Sequence, residues 1–405
     1  MQRWTADIVQ CPLDGAAPLR LTVLAAADDD DVEDGLLECP ACKRVFPIAA
    51  GVPHLVRDGL RLPERERELA ERHRQTLTPE QHGRLMLADP QRPEADARLV
   101  AEGRYWSEFF NAYYDAGARA IFDIEARGTH LPFYPYGLLL RDERDRRRPY
   151  GFFPRHIGRR IFGTMDRLAA EAARAGRKPG YALDVGCGGG QMGLEAARRG
   201  FQTVGLDVAV GAMETGRRHS RHAGRPVNFI YADPTELPFR SGAFQLIVCK
   251  DALHHLPGVE RAVENLWRAA AAEATFIAYE HIAETDEGRR LRERLHQKYI
   301  PRLLARHGAA ARIPDVIRTP SPHEDVGASA LEAAWKRWFR PDVEHREPRL
   351  YWDIEQVYYF AWGRSILAAR AAGMLARVWE QLNTPWLRPE FLLLIGPRRP
   401  SPAAP

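Results

Sequence analysis

The chain has 405 residues, of which 45% are hydrophobic and 28% charged, so it is long enough for two or three domains with a large buried core. No apolar run approaches the roughly 20 residues of a membrane helix, and no hydrophobic signal segment opens the chain, which predicts a cytoplasmic protein without a membrane partner. The net charge of +4, from 58 basic and 54 acidic residues, is too small to indicate a strong polyanion partner.

Residues 1–57 are predicted to form a small separate module with three cysteines. Cys11 is followed by Asp14 at the same spacing that separates Cys39 from Cys42. Two C-x-x-C knuckles are a strong zinc signal, and here a carboxylate replaces the second sulfur. Because a carboxylate can also ligate zinc, these four residues are candidate metal ligands. The alternative is a ribbon that has lost its metal and is held by its apolar residues.

This module resembles the zinc-ribbon activator subunits that accompany tRNA and release-factor methyltransferases. The shared pattern lies at residues 11–12, 39–42, 46–48 and 51–53, and Asp14 is the main departure from it. The resemblance implies a part that either stabilises a catalytic domain or contacts a substrate, and the sequence does not decide between these roles.

Residues 58–180 are predicted to be a largely helical segment that leads into the next domain. Aromatic side chains recur at spacings of three and four between residues 105 and 114, which favours core packing over a ligand site. A further helix is predicted over residues 157–175, directly before the first strand of that domain.

The centre of the chain, residues 181–207, reads as a strand, a glycine-rich turn, a helix and a second strand. Gly186, Gly188 and Gly190 allow a sharp turn and a close approach of the backbone to a ligand. Asp207 ends the second strand, where an acidic side chain binds a ribose in doubly wound sheets. The stretch therefore predicts a nucleotide-containing cofactor.

Two residues distinguish between the cofactors that such a turn could bind. A dinucleotide fingerprint requires a glycine at position 191, which is Gln191 here. Asp184 would repel a pyrophosphate, whereas it suits the positive sulfonium and ammonium groups of S-adenosylmethionine. The pattern at 184–190, with Asp207 beyond it, resembles the class I methyltransferase family.

The resemblance implies a doubly wound, Rossmann-like α/β domain over residues 181–282 that binds S-adenosylmethionine. It assigns the methionine part of the cofactor to Asp184 and the three glycines, and the ribose to Asp207. It assigns the adenine amino group to Asp233, which follows the third predicted strand at 227–231. The tripeptide at 254–256 resembles that of quinone-biosynthesis C-methyltransferases and of many small-molecule relatives.

His255 and His281 are the candidate catalytic residues, as acceptors of a proton from the substrate. Both follow predicted strands at the edge where the methyl group must lie, together with His254, Tyr279 and Glu280. Histidine titrates near neutral pH and is suited to this task. The alternative is that each has only a packing or capping role.

The C-terminal part is predicted to complete the same sheet after a long insertion. A fifth strand at 275–279 and a final antiparallel pair at 373–380 and 391–395 bracket an aromatic-rich insertion at 283–370, and residues 371–405 complete the core. Insertions at this point lie over the carboxyl ends of the strands, so a helical lid over the substrate is expected. The alternative is a packing layer or a homodimer interface.

The predicted function is methyl transfer from S-adenosylmethionine to a small molecule, because the aromatic lid indicates an enclosed apolar pocket. The first alternative is an RNA acceptor, rRNA or tRNA, since a zinc ribbon followed by a methyltransferase resembles the large-subunit rRNA guanine methyltransferases. Weak net basicity disfavours that alternative. The second alternative is an enzyme of this fold that binds the cofactor without transferring its methyl group.

Overall fold

The computed structural model describes residues 1–85, 96–109, 155–222, 224–282, 326–347 and 391–402, with a few single positions between these ranges. Most of the predicted lid and part of the helical lead-in lie outside the described residues. The described chain builds two sheets, one of four strands and one of seven.

The smaller sheet forms the N-terminal module and is antiparallel throughout. Its strands, in spatial order, are β1 (Arg20–Ala26), β2 (Val32–Glu38), β3 (Val45–Ala49) and β4 (Val52–Pro53). Helices α1 (Pro63–Arg72) and α2 (Pro79–Leu85) cover one face of it. The other face packs into the main core of the protein, so β3 is apolar along its whole length.

The larger sheet has the strand order β10-β11-β9-β8-β5-β6-β7. Its strands are β5 (Tyr181–Val185), β6 (Gln202–Asp207), β7 (Asn228–Tyr231), β8 (Phe244–Lys250), β9 (Ala270–His281), β10 (Val343–Glu347) and β11 (Phe391–Pro397). Strands β5 to β9 are parallel, and β10 and β11 are antiparallel to their neighbours. The doubly wound α/β fold is therefore confirmed.

Helices lie on both faces of this sheet, which explains the continuous apolar runs of its central strands. The helices are α3 (Arg155–Arg174), α4 (Gln191–Arg198), α5 (Val210–His222), α6 (Val259–Ala269) and α7 (Ala328–Trp338). α3 and α4 share one hydrophobic cluster, and α6 and α7 share another on the opposite face. Residues 96–109 are also helical, and Trp106 and Phe109 of the aromatic stripe pack against a third cluster.

The antiparallel edge differs from the sequence prediction. The partner of β11 is β10, whereas the prediction placed that strand at 373–380, where the described positions 374, 375 and 378 are helical. β10 was missed because four of its five residues are charged or histidine and its exposure alternates. Part of the predicted lid is also core, since Trp335 of α7 is fully buried against Phe276 of β9.

The N-terminal module docks on β7, the edge strand of the large sheet. His54 forms a parallel bridge with Tyr231, and the Leu55 N–H donates to the Tyr231 carbonyl at 2.9 Å. The Tyr231 hydroxyl donates back to the Leu60 carbonyl at 2.8 Å. Backbone pairing thus covers an edge that would otherwise present unpaired N–H and C=O groups.

Candidate functional site

The glycine-rich turn links β5 to α4 and is shaped by the protein's own packing. Gly186 and Gly190 have φ angles of +63° and +79°, in the left-handed region that favours glycine. A Cβ atom would lie 2.1 Å from the Ala252 Cβ at Gly186, and 2.5 Å from the Phe229 ring at Gly190. Two of the three predicted cofactor glycines are therefore required even without a ligand.

Asp184 lies on β5, just before this turn, and is buried. Its Oδ2 accepts a hydrogen bond from the Gly193 N–H at 2.7 Å, so the carboxyl group binds the first turn of α4. Burial raises the pKa of Asp184 to about 7; the Gly193 amide opposes this shift and the Asp207 charge adds to it. Such a carboxyl group would be ionised more readily beside a bound cation.

Asp207 ends β6 and ties the turn to that strand. Its Oδ2 accepts from the Gly188 N–H at 2.7 Å and its Oδ1 from the Ala209 N–H at 2.8 Å. Burial raises the pKa of Asp207, although these two amides oppose the shift. Because each carboxylate oxygen has two lone pairs, the group can still accept further hydrogen bonds from a ribose diol.

Asp233 follows β7 and is bound by two different modules. Its Oδ1 accepts from the N–H and the hydroxyl of Thr235, both at 2.7 Å. Its Oδ2 lies 3.1 Å from the Arg57 guanidinium of the N-terminal module. The same guanidinium binds Asp96 at 2.6 Å and Glu236 at 2.5 Å. Sequence reasoning did not identify Arg57, because no local pattern distinguishes one arginine that binds a distant acid.

The fold brings the three predicted acids to one edge of the sheet. Asp184 and Asp207 occupy neighbouring parallel strands, and Asp207 pairs in register with Tyr231, two residues before Asp233. This is the edge formed by the carboxyl ends of the parallel strands, where open α/β sheets bind their ligands.

A histidine cluster follows β8 on the same edge. His254 is buried and its Nδ1 lies 2.8 Å from Glu280 Oε2. The rings of His255 and His281 lie 4.1 Å and 5.8 Å from that of His254, measured between centroids. Both predicted proton acceptors therefore flank a histidine–carboxylate pair. The sequence placed the two members of this pair at the same edge but did not indicate that they bind each other.

The backbone around this cluster differs from the prediction. Glu280 and His281 belong to β9 itself, and residues 253–255 form a single 3-10 turn. The following helix, α6, begins at Val259. The Ala252 N–H donates to Glu280 at 3.1 Å. Since Ala252 also contacts Gly186, the cluster adjoins the glycine-rich turn.

A cavity of about 270 Å³ opens beside His255. Arg98 and Glu260 supply its charged walls, and Leu256 and Val326 its apolar ones. The His255 ring meets the Trp106 ring edge-on at 5.4 Å, which places the helical segment 96–109 against the cluster. The cavity is large enough for part of a small molecule next to the histidines.

The N-terminal module brings its four candidate ligands together, with all ligand atoms within 4.8 Å of one another. The Cys11 and Cys42 sulfurs are 3.7 Å apart, close to the roughly 3.8 Å expected in a tetrahedral zinc site. Asp14 Oδ2 lies 3.4 Å from the Cys39 sulfur. Burial raises the pKa of Cys11, so zinc binding would have to displace its proton. The donor set fits a zinc ion.

Two modules of the chain match known families. Residues 183–278 match the model of a methyltransferase domain, and residues 3–51 match that of the Trm112p-like proteins. The first range covers the parallel strands β5 to β9 of the large sheet, and the second covers the N-terminal module through β3. Both resemblances that the sequence indicated are thereby confirmed.

Two curated relatives match about a quarter of the chain. The ubiquinone biosynthesis O-methyltransferase of Chromobacterium violaceum is 34% identical over 100 residues, which cover 24% of this chain and 42% of that protein. Its counterpart in Cronobacter sakazakii is 33% identical over 100 residues, covering 24% and 41%. The chain thus spans about two fifths of the length of these relatives.

Among solved structures, the (4+2)-cyclase SpnF is similar with a TM-score of 0.41 and 17% identity, over 71% of this chain and 94% of that one. In the part of the chain that the structure describes, no helix combines the length and apolar character needed to cross a membrane.

The sheet order, the acids at its edge and the two family matches lead to one conclusion: the chain contains a class I methyltransferase domain joined to a Trm112p-like domain.

Proposed function

We propose that the protein transfers a methyl group from S-adenosylmethionine to an oxygen atom of a small-molecule acceptor. The observation that carries this proposal is the cluster of His254, His255 and Glu280, which adjoins the glycine-rich turn and borders a cavity. A hydroxyl acceptor must lose a proton during methylation, and such a cluster can receive it.

The cofactor would lie along the edge that carries the three acids. In S-adenosylmethionine the methyl group is bound to a positive sulfonium, which becomes a neutral thioether when the methyl group leaves. The chain's task is therefore binding, alignment and exclusion of water. Asp184 and the glycine-rich turn would bind its methionine part, and Asp207 would accept from its ribose hydroxyls. Asp233, fixed by Thr235 and Arg57, would border its adenine.

His255 is the proposed proton acceptor because it lines the cavity, whereas His254 is buried against Glu280. The Glu280 carboxylate is fully buried and bonds both His254 and the Ala252 N–H. It therefore fixes the turn that carries His255, in the way that a carboxylate orients a general base. His281, beside His254 on β9, is the second candidate.

Two observations favour a small acceptor over RNA. The cavity beside His255 can hold part of a small molecule, and its charged walls carry both signs, Arg98 and Glu260. The curated relatives named above are O-methyltransferases of ubiquinone biosynthesis. The proposal therefore extends to phenols and related hydroxyl compounds as the class of acceptor.

The test is transfer of an isotopically labelled methyl group. The full chain is incubated with labelled S-adenosylmethionine and, in separate reactions, with phenols and quinols, with amines, or with total RNA. We expect labelled methyl ethers in the first reaction. His255→Gln should lower that rate about a hundredfold or more without weakening cofactor binding, whereas the control His82→Gln, in α2, should not. Label recovered only in RNA would contradict the proposal.

A further inference from the structure

A second group of metal-ligand side chains lies at the antiparallel edge of the large sheet, away from the cysteine module. His345 and Glu347 are two residues apart on β10, so they project from the same face of the strand. His156, in the first turn of α3, meets them there. One ligand atom from each of the three residues lies within 4.8 Å of the others.

The two histidines converge on one carboxylate oxygen of Glu347. His156 Nε2 lies 2.7 Å from Glu347 Oε2, and His345 Nε2 lies 3.6 Å from the same atom. The His345 Nε2 atom is buried and has no hydrogen-bond partner among the described residues. A simple histidine–carboxylate hydrogen bond accounts for His156 alone. A cation between the three atoms would satisfy all of them.

The surroundings hold this carboxylate in place. The Tyr279 hydroxyl donates to Glu347 Oε1 at 3.3 Å, which leaves Oε2 directed at the two histidines. The Tyr279 ring is itself stacked on Phe391 at 5.0 Å. Outer hydrogen bonds of this kind orient the ligands of metal sites.

The group lies on the same edge of the sheet as the histidine cluster. Glu347 pairs with Phe391 on β11, which pairs with His281 on β9. Two strand spacings separate it from His281, or about 10 Å between backbones. It is therefore distinct from the His254–Glu280 pair and close enough to face the same bound molecule.

We propose that His156, His345 and Glu347 bind one divalent first-row transition-metal ion such as Zn²⁺ or Fe²⁺. Two imidazoles and one carboxylate suit these ions, whereas Mg²⁺ and Ca²⁺ prefer all-oxygen sites. Three ligands leave at least one coordination position for an oxygen atom of water or of a bound hydroxyl or carboxylate compound. The site does not depend on the proposed methyl transfer.

The first test is the metal content of the full chain, with any affinity tag removed, after dialysis against a zinc buffer. His345→Gln should lower the content by about one ion per chain. The matched control is His73→Gln, because His73 also binds a carboxylate, Asp34 at 2.8 Å, but belongs to no group of three metal-ligand side chains in the described part of the chain. Equal metal content in folded wild type and His345→Gln would overturn the proposal.

The second test separates this site from the cysteine module and does not depend on the folding of the histidine variant. Cys39→Ser removes a thiolate from the N-terminal cluster. Cobalt bound by this variant should show ligand-field bands without strong thiolate charge-transfer bands, because the proposed ligands contain no sulfur. Adding His156→Gln should weaken this binding at least tenfold. A Cys39→Ser protein that binds no cobalt outside its remaining cysteines would equally refute the site.

Discussion

The row of acids at the sheet edge has two ends, one with Asp184 and Asp207 and the other with Asp233, and they are held in different ways. Asp207 is bound by the Gly188 and Ala209 amides, which belong to the same strand–turn–helix unit. Asp233 is bound on one side by Thr235 and on the other by Arg57, which comes from the N-terminal module. Among the described residues, the end proposed to bind the methionine and ribose is therefore held by the methyltransferase domain, and the end proposed to bind the adenine by both domains.

This difference gives the Trm112p-like domain a structural role at the proposed cofactor site. Arg57 bonds three carboxylates, those of Asp96, Asp233 and Glu236. Burial acts to lower the pKa of its guanidinium, but the three acids outweigh burial and raise it. The sequence left open whether this domain stabilises the catalytic part or contacts a substrate, and this contact supports stabilisation.

The largest expected effect is a loss of folding stability on substitution of a glycine in the glycine-rich turn beside Asp184 and Asp207. Gly190→Ala should destabilise the protein by about 2–5 kcal/mol, because it combines a left-handed backbone with a clash against Phe229. The control is Gly176→Ala, whose φ of +67° is similar but whose Cβ would meet no atom within 4 Å. Urea denaturation of both variants separates the two costs. Equal losses would show that packing around the turn contributes nothing.

Asp207 tests whether the same end binds the cofactor. Asp207→Ala should weaken S-adenosylmethionine binding by about 1.5–3 kcal/mol, on the order of ten- to a hundredfold, because charge-assisted hydrogen bonds to the ribose are lost. Part of this effect should come from release of the Gly188 amide, so Asp207→Asn, which keeps one acceptor oxygen and replaces the other with an N–H donor, should lose less. Calorimetry measures both. Unchanged affinity in a folded Asp207→Ala protein would remove the residue from the site.

Arg57 tests the other end. Arg57→Gln should cost about 1–3 kcal/mol in stability, because three acids, of which Asp96 and Asp233 are buried, lose a shared and partly exposed cation. The control is Arg44→Gln, whose partner Asp58 is exposed instead of buried, so that the loss of this pair should cost about 0–1 kcal/mol. If the second end depends on both domains, Arg57→Gln should also weaken cofactor binding while Arg44→Gln should not. Similar behaviour of the two variants would contradict the comparison.

The sequence predicted the parallel half of the sheet well and the antiparallel edge poorly, and burial explains both outcomes. β5 and β6 are covered on both faces, so they appear in the sequence as apolar runs with a glycine turn between them. β10 is an edge strand in which four of five residues are charged or histidine. Exposure alternates along it, so no apolar run marks it in the sequence. The acids at the strand ends could be located from the sequence, because the end of an apolar run marks the end of a buried strand.

Contacts between distant residues could not be predicted in this way. Arg57 and Asp233 are 176 residues apart, and His254 and Glu280 are 26 apart. Neither pair leaves a periodic pattern, since each residue would suit a solvated loop equally well. The predicted roles of Asp184, Asp207 and Asp233 therefore came without the partners that hold them.

The smallest effect concerns the protonation of Asp184, at the first end. Its pKa of about 7 means that much of the free protein carries a proton there at neutral pH. A bound ammonium or sulfonium group favours the ionised carboxylate, so this proton must leave on binding. Affinity for S-adenosylmethionine should therefore be about tenfold weaker at pH 6 than at pH 8, and level above that. Calorimetry at both pH values, repeated on Asp184→Asn, measures the dependence.

The stability of the free protein should change in the opposite direction, which makes the assignment specific. The folded pKa of Asp184 is raised above its usual value of 3.8, so the fold binds the proton more tightly than the unfolded chain does. The contribution of this group is fully present below about pH 4 and is lost as the pH rises through about 7. Binding should thus strengthen over the interval in which the free fold weakens. Asp184→Asn should flatten both profiles, and a variant that flattens only the stability profile would place the cofactor's cation elsewhere.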